Sequence, residues 1–143
     1  MIESQYTTNV SKRLPKNVMS WKINDSYAGG VPDAFYRRTD NFSRPLWVEY
    51  KFIKTLPKRM TTMIVPNLSA QQLMWLKQAR NAGEQAIVII GCEALRHTNN
   101  PCGVILSDPK EWEEGIATAD FELRAAGQTY QSVANKIYIL LSE

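Results

Sequence analysis

The chain has 143 residues, 44% hydrophobic and 22% charged, values of an ordinary soluble globular sequence of one compact domain. The longest strongly apolar run, Ala86 to Gly91, falls well short of the ~18 residues of a membrane span, and Met1 to Gln5 lack the charged and apolar regions of a secretion signal. Cys92, Cys102 and the single His97 cannot furnish a disulfide framework or a four-ligand zinc site, and a histidine-based triad would rest on one residue. The net charge of +3 is unevenly spread: residues 1–60 hold eleven Lys/Arg against five Asp/Glu, and residues 61–143 hold six against nine. A basic first half is the asymmetry expected of a face that meets a polyanion, or of a solvated face with chance clustering.

In chain order, Ile2, Tyr6, Val10 and Leu14 recur every four residues, which predicts a helix ended by Pro15. Trp21 to Ile23 alternates as a short strand, Ala28 to Pro32 is a Gly-Gly-Val-Pro turn, and Ala34 to Tyr36 reads as a strand. A polar connection, Arg37 to Pro45, leads to a strand over Leu46 to Ile53. There Leu46, Val48, Tyr50 and Phe52 share one face, and Trp47, Glu49, Lys51 and Ile53 the other. Lys54 to Asn67 is a basic, proline-punctuated loop with a short strand at Met63 to Val65. Ser69 caps a helix over Ala70 to Ala82, closed by Gly83, with a stripe of Leu73, Leu76, Lys77 and Arg80. Ala86 to Ile90 is a strand buried on both faces, Val104 to Leu106 another strand, Asp108 opens a short acidic helix to Glu114, and Ser132 to Leu141 is helical. The order predicts a mixed α/β fold without internal repeats.

The chemistry concentrates in Pro32-Asp33 followed by Glu49-Tyr50-Lys51. A glutamate and a lysine two apart leave one face of a strand, and on so hydrophobic a strand they are costly unless paired or bound to a cation. If the two strands pair, Asp33 and Glu49 converge on one divalent ion. Oxygen donors suit magnesium, the Tyr50 carbonyl could add another oxygen, and Lys51 would stand beside the water that attacks a phosphodiester. The plainer reading is a surface hairpin with a Glu–Lys pair on its wet face.

Gly30-Val31-Pro32-Asp33-Ala34-Phe35 with Trp47-Val48-Glu49-Tyr50-Lys51 resembles the signature of the PD-(D/E)xK nucleases. More narrowly it resembles small stand-alone viral-type replication-repair nucleases and phage Holliday-junction-resolvase-like proteins. Leu56-Pro57-Lys58-Arg59, Ser69-Ala70-Gln71-Gln72-Leu73-Met74-Trp75, Gly83 and Ala86 to Ile90 follow in the same order, and the likeness covers about residues 3 to 91. It implies a restriction-endonuclease-like core, an α/β fold with a mixed β-sheet flanked by helices, and magnesium-dependent DNA cleavage with manganese as substitute. Asp33 and Glu49 would then be metal ligands, Lys51 the third catalytic residue, and Gln72, with Gln71 as its rival, the glutamine near the site. Glu3 would contact the metal directly or through water, or be an exposed residue of an amphipathic helix.

The expected protein is thus one nuclease domain over 1–143, with a core at about 1–91 and a C-terminal extension, 92–143, of unassigned role. Its expected activity is endonucleolytic, on branched DNA such as Holliday junctions in phage replication, recombination or repair. The alternatives are a nicking, homing or restriction-type enzyme on duplex DNA, or a non-catalytic nucleic-acid-binding protein of the same fold. A junction needs two symmetric cuts, which implies a homodimer. The expected partner is DNA, in the cytoplasm (the host's, if phage-encoded), with no membrane and no organic cofactor. Backbone contacts are expected from Arg37, Arg38, Arg44, Lys54, Lys58 and Arg59. His97 reads as a solvated loop residue, Cys92 as core, Asp25 as a turn residue or a carboxylate near the metal, and Glu111, Glu113 and Glu114 as a solvated face.

Overall fold

Strand β3 (Leu46–Ile53) organises the protein, and its period-two pattern is what the fold uses. Leu46, Val48 and Tyr50 are fully buried among the side chains of one layer, while Trp47 and Ile53 pack into the other. The computed structural model describes residues 1–23, 29–40 and 44–143. Asp25, Ala28 of the predicted turn, and positions 41–43 of the predicted connection lie outside them.

Among the described residues the main sheet has five strands in the order β1-β2-β3-β5-β6. β1 (Val18–Lys22), β2 (Ala34–Arg38) and β3 form an antiparallel meander. β5 (Gln85–Cys92) then runs parallel to β3, which requires a crossover; helix α2 (Ala70–Asn81) lies within that connection. β6 (Cys102–Leu106) returns antiparallel to β5 at the far edge. A short ribbon of β4 (Met63–Ile64) and β7 (Ile116–Ala117) stands apart. Central β5 is buried along its whole length, as its unbroken apolar sequence demands.

Helices cover both faces. α2, α3 (Pro109–Glu114) and α4 (Thr118–Ala125) close one core around Leu76, Val88, Ile90, Trp112 and Phe121. α1 (Glu3–Ser11) and α5 (Tyr130–Leu141) close the other around Tyr6, Val10, Val48, Ile89 and Ile137. The stripe predicted for α2 is only partly the buried one: Leu76 and Ala79 go inside, while Arg80 lies over the Trp112 ring at 5.9 Å and donates to the Ser107 carbonyl at 2.6 Å.

Three features differ from the sequence expectation. α1 stops at Ser11, not at Pro15, and Leu14 turns back on to the core from a loop. α4 and β7 had no clear signature, because Phe121 and Ala125 are the only buried apolar residues of α4 and β7 has two residues. α1 is seated by an unforeseen device: the Tyr6 ring lies over Gly91 and Gly103, which face each other across β5 and β6. A Cβ at Gly91 would stand 2.7 Å from the ring and one at Gly103 2.0 Å from its hydroxyl, so this close approach requires glycine at both positions.

Candidate active site

The site forms where two strands part. β2 pairs with β3 only up to Ala34 opposite Val48. Continued in register, the next residues would set Pro32, which has no N–H, against Tyr50. The ladder stops there, and the Asp33 side chain takes over: its Oδ2 accepts the Tyr50 backbone N–H at 2.9 Å. The N–H and C=O of one strand residue point to the same side, so the Tyr50 carbonyl also faces the gap that β2 leaves.

Glu49 and Lys51 flank Tyr50 on the opposite face of β3. Glu49 is 2% exposed, and its Oε1 has no hydrogen-bond partner. Its Oε2 accepts from Gln72 Nε2 at 3.3 Å and lies 3.7 Å from Lys51 Nζ. Lys51 Nζ also donates to Gln72 Oε1 at 3.3 Å. Burial, followed by the nearby Asp33 carboxylate, pushes the Glu49 carboxyl up to about 8, against the pull of Lys51. Near neutral pH Glu49 therefore keeps its proton unless a cation takes its place.

Gln72 owes its position to the start of α2. Ser69 is the N-cap and accepts the Gln72 backbone N–H at 3.1 Å, while Gln72 Oε1 accepts the Ser69 N–H at 2.9 Å. This Ser-x-x-Gln capping box is legible in the sequence and folds the glutamine back towards β3. The rival Gln71 has a different task. It packs against the Gly29-Gly30 turn, where an added Cβ would stand 2.2 Å and 2.5 Å from Gln71 atoms, and Gly30 has φ +89°. That contact docks α2 on the segment carrying Asp33.

Glu3, at the start of α1, is exposed at the rim. Burial and then the Asp33 carboxylate raise its pKa, with Lys51 opposing. Among the described residues no three His, Cys, Asp or Glu side chains gather tightly enough to cage an ion. Asp33 and Glu49 with the Tyr50 carbonyl fit a hard cation that completes its shell with water or phosphate oxygens, and the partnerless buried Oε1 of Glu49 is the observation that favours one.

The six basic residues fall into two groups. Lys54, Lys58 and Arg59 are exposed just beyond the end of β3. Arg96 holds that loop, donating to the Pro57 and Lys58 carbonyls and pairing with Glu122 at 2.9 Å. Arg37, Arg38 and Arg44 lie at the other end, past the pairing of Tyr36 with Leu46. Seven residues of extended chain separate Arg44 from Lys51, about 23 Å at roughly 3.3 Å each. Arg38 is engaged with Asp40, with Ser142 and with the Tyr138 ring.

Of the remaining predicted features, His97 is exposed. Glu111 pairs with Arg124 and Glu113 with Lys77, so two of the three acidic residues of α3 are engaged. Cys92 is core as expected, and the unassigned Cys102 is buried opposite it on β6.

The meander, the parallel crossover through α2 and the helices on both faces make this a restriction-endonuclease-like fold. No family model matches the chain, and no curated protein matches its sequence. Among solved structures it is similar to Hjc, a Holliday junction resolvase from the archaeal hyperthermophile Archaeoglobus fulgidus, at 18% identity and a TM-score of 0.51, over 93% of this chain and 95% of that one. At that identity the likeness is one of fold. No helix among the described residues is long and apolar enough to cross a membrane.

Proposed function

We propose that this protein is a metal-dependent DNA endonuclease of the PD-(D/E)xK type that acts on branched DNA as a homodimer. The observation that carries the reading is Glu49: a buried carboxyl with one oxygen unpartnered, beside a second carboxyl, a lysine and a glutamine. A purely structural hairpin gains nothing from so costly a group. The fold shared with a Holliday junction resolvase supports the substrate class.

Asp33, Glu49 and the Tyr50 carbonyl would hold the ion, magnesium or in its place manganese, and Glu3 would act from the rim. When bound, the ion would supply positive charge against the phosphodiester oxygens. Lys51 would donate from Nζ to orient the attacking water and the phosphate, and the proton of that water would pass to solvent. Gln72 fixes that amine through Oε1 and the Glu49 carboxylate through Nε2. Lys54, Lys58 and Arg59 at one end, and Arg37, Arg38 and Arg44 at the other, would meet DNA phosphates on the two sides of the cut. Residues 1–143 would form one nuclease domain, working in the cytoplasm and encoded by a phage.

The test is a cleavage panel of four-way junction, flap, linear duplex and single strand, each with Mg²⁺, Mn²⁺ or EDTA. Metal-dependent cutting of branched DNA in preference to linear duplex is the expected result. No cutting of any substrate with either metal overturns the reading.

A further inference from the structure

The sheet face that carries Glu49 and Lys51 has a second feature beside them, which takes no part in the chemistry above. In the strand registers Trp21 stands opposite Phe35 and Phe35 opposite Trp47, so their rings form a row across β1, β2 and β3. Successive ring centroids lie 6.5 and 4.6 Å apart, and Trp75 of α2 extends the row at 4.7 Å from Trp47. α2 covers the row only at that end. Trp47 and Trp75 pack against the core beneath α2, and the Trp47 indole N–H donates to Glu84 at 3.4 Å. Phe35 belongs to neither core, and Trp21 at the sheet edge is 55% exposed. An aromatic surface that runs out from the core into water marks a contact site rather than packing.

Strand alternation fixes where the row lies. Glu49 is two residues along β3 from Trp47, so both side chains leave the same face, with Lys51 next in line. From Trp21 to Glu49 is two strand spacings across and two residues along, about 12 Å between backbones. That distance equals three to four base steps of a DNA strand, at roughly 3.4 Å each. The charge around the open end suits nucleic acid: β1 and β2 hold Lys22, Arg37 and Arg38 and no acidic residue. Arg37 is exposed on the same face as Phe35, two residues along β2, and has no ion-pair partner among the described residues.

Resting on the nuclease reading, we propose that Trp21 and Phe35 stack on the base face laid open at a DNA branch point and so set the distance from the branch to the cut. Continuous duplex keeps its base faces inside its own stack and offers the row nothing, whereas a flap or a junction opens at least one. Every base has a π-face, so such stacking selects the shape of the DNA and not its sequence. Trp21 is then a positioning residue, remote from the metal and the attacking water.

The experiment has two readouts: equilibrium binding in EDTA to a flap, a four-way junction and a long linear duplex, and the position of the cut on an end-labelled flap with Mg²⁺. Trp21 is exposed, so Trp21→Ala and Trp21→Phe should keep the wild-type melting temperature. Trp21→Ala should weaken flap and junction binding about fivefold or more, and Trp21→Phe should recover part of that loss. Long duplex should change less than twofold. The wild type should cut the flap within about four nucleotides of the branch. Trp21→Ala should spread the cuts over neighbouring positions, and Trp21→Phe should gather them again. Equal losses on duplex and branched DNA overturn the proposal, as do an unchanged affinity and cut position in Trp21→Ala. Loss of self-association with branched-DNA binding and cut position intact makes the row a contact between copies and overturns it too. A wild-type protein that neither binds nor cuts any of the three DNAs overturns the nuclease reading itself, and the proposal with it, before any variant is made.

Discussion

Two polar clusters sit back to back on β3, on adjacent residues, and they are finished to different degrees. Behind Tyr50 the Tyr50 and Tyr36 hydroxyls meet at 2.7 Å, and Tyr36 meets Ser11 at 2.8 Å, in a closed chain of short hydrogen bonds. Burial raises both phenols above their ordinary values, so they stay neutral and hold α1 to the sheet. In front, Glu49, Lys51 and Gln72 meet at 3.3 to 3.7 Å, and a buried oxygen has no partner. One cluster is complete without a ligand; the other has capacity left over. The same strand thus builds a structural joint and the proposed catalytic cleft one residue apart, because alternation sends successive side chains to opposite cores.

The largest expected break in this contrast is catalytic. Lys51→Ala should reduce cleavage by about a thousandfold while leaving DNA affinity within a few-fold, because phosphate contacts lie elsewhere. A folded Lys51→Ala protein cutting at the wild-type rate removes Lys51 from the chemistry.

The next effect is on stability and its pH dependence without metal. Below about pH 4.5 Glu49 is protonated folded or unfolded, and it contributes no pH dependence. Between about 4.5 and about 8 the unfolded chain releases a proton that the folded protein retains, so stability falls as pH rises; above about 8 the full cost of the buried charge is present. Glu49→Gln stays neutral throughout, so it should match the wild type near pH 4 and exceed it at pH 9 by on the order of a few kcal/mol. Magnesium should restore the wild type at pH 9 but not the variant. Denaturant melts across pH that run parallel for the two proteins refute the assignment of a strained Glu49.

The smallest effect sharpens the contrast from the other side. Tyr36→Phe leaves the buried Tyr50 hydroxyl without its partner, which should cost about 1–3 kcal/mol in a urea melt, with no pH dependence below about pH 10 and a cleavage rate within twofold. A large loss of cleavage at unchanged stability would place the tyrosines in the reactive cluster instead.

The contrast was half visible in the sequence. Period two in Leu46 to Ile53 separates Tyr50 from Glu49 and Lys51 by face, and the Ser69 to Gln72 spacing fits a capping box; Asp33 joins them only if the two strands pair, and Gln72 enters the site only through the family resemblance. What stays hidden depends on contacts between distant segments. Nothing near Tyr6 signals that its ring lies on Gly91 and Gly103, and nothing in Gln71 signals its contact with Gly29 and Gly30. α4 escapes for another reason: it spans only eight residues, and no side-chain cap at Ala117 marks its start. The basic residues are countable in sequence, but their division between two ends of the sheet comes only from the β2–β3 register.

Gln72 carries a consequence for anyone who would move this centre to another scaffold. Its one carboxamide both begins a helix and holds the amine and the carboxylate of the cleft. Folding and the proposed chemistry would therefore draw on the same few atoms, and neither could be tuned alone. The smallest transplantable unit is then not four side chains but two strands and the first turn of a helix, with the Gly-Gly hinge that lets them touch.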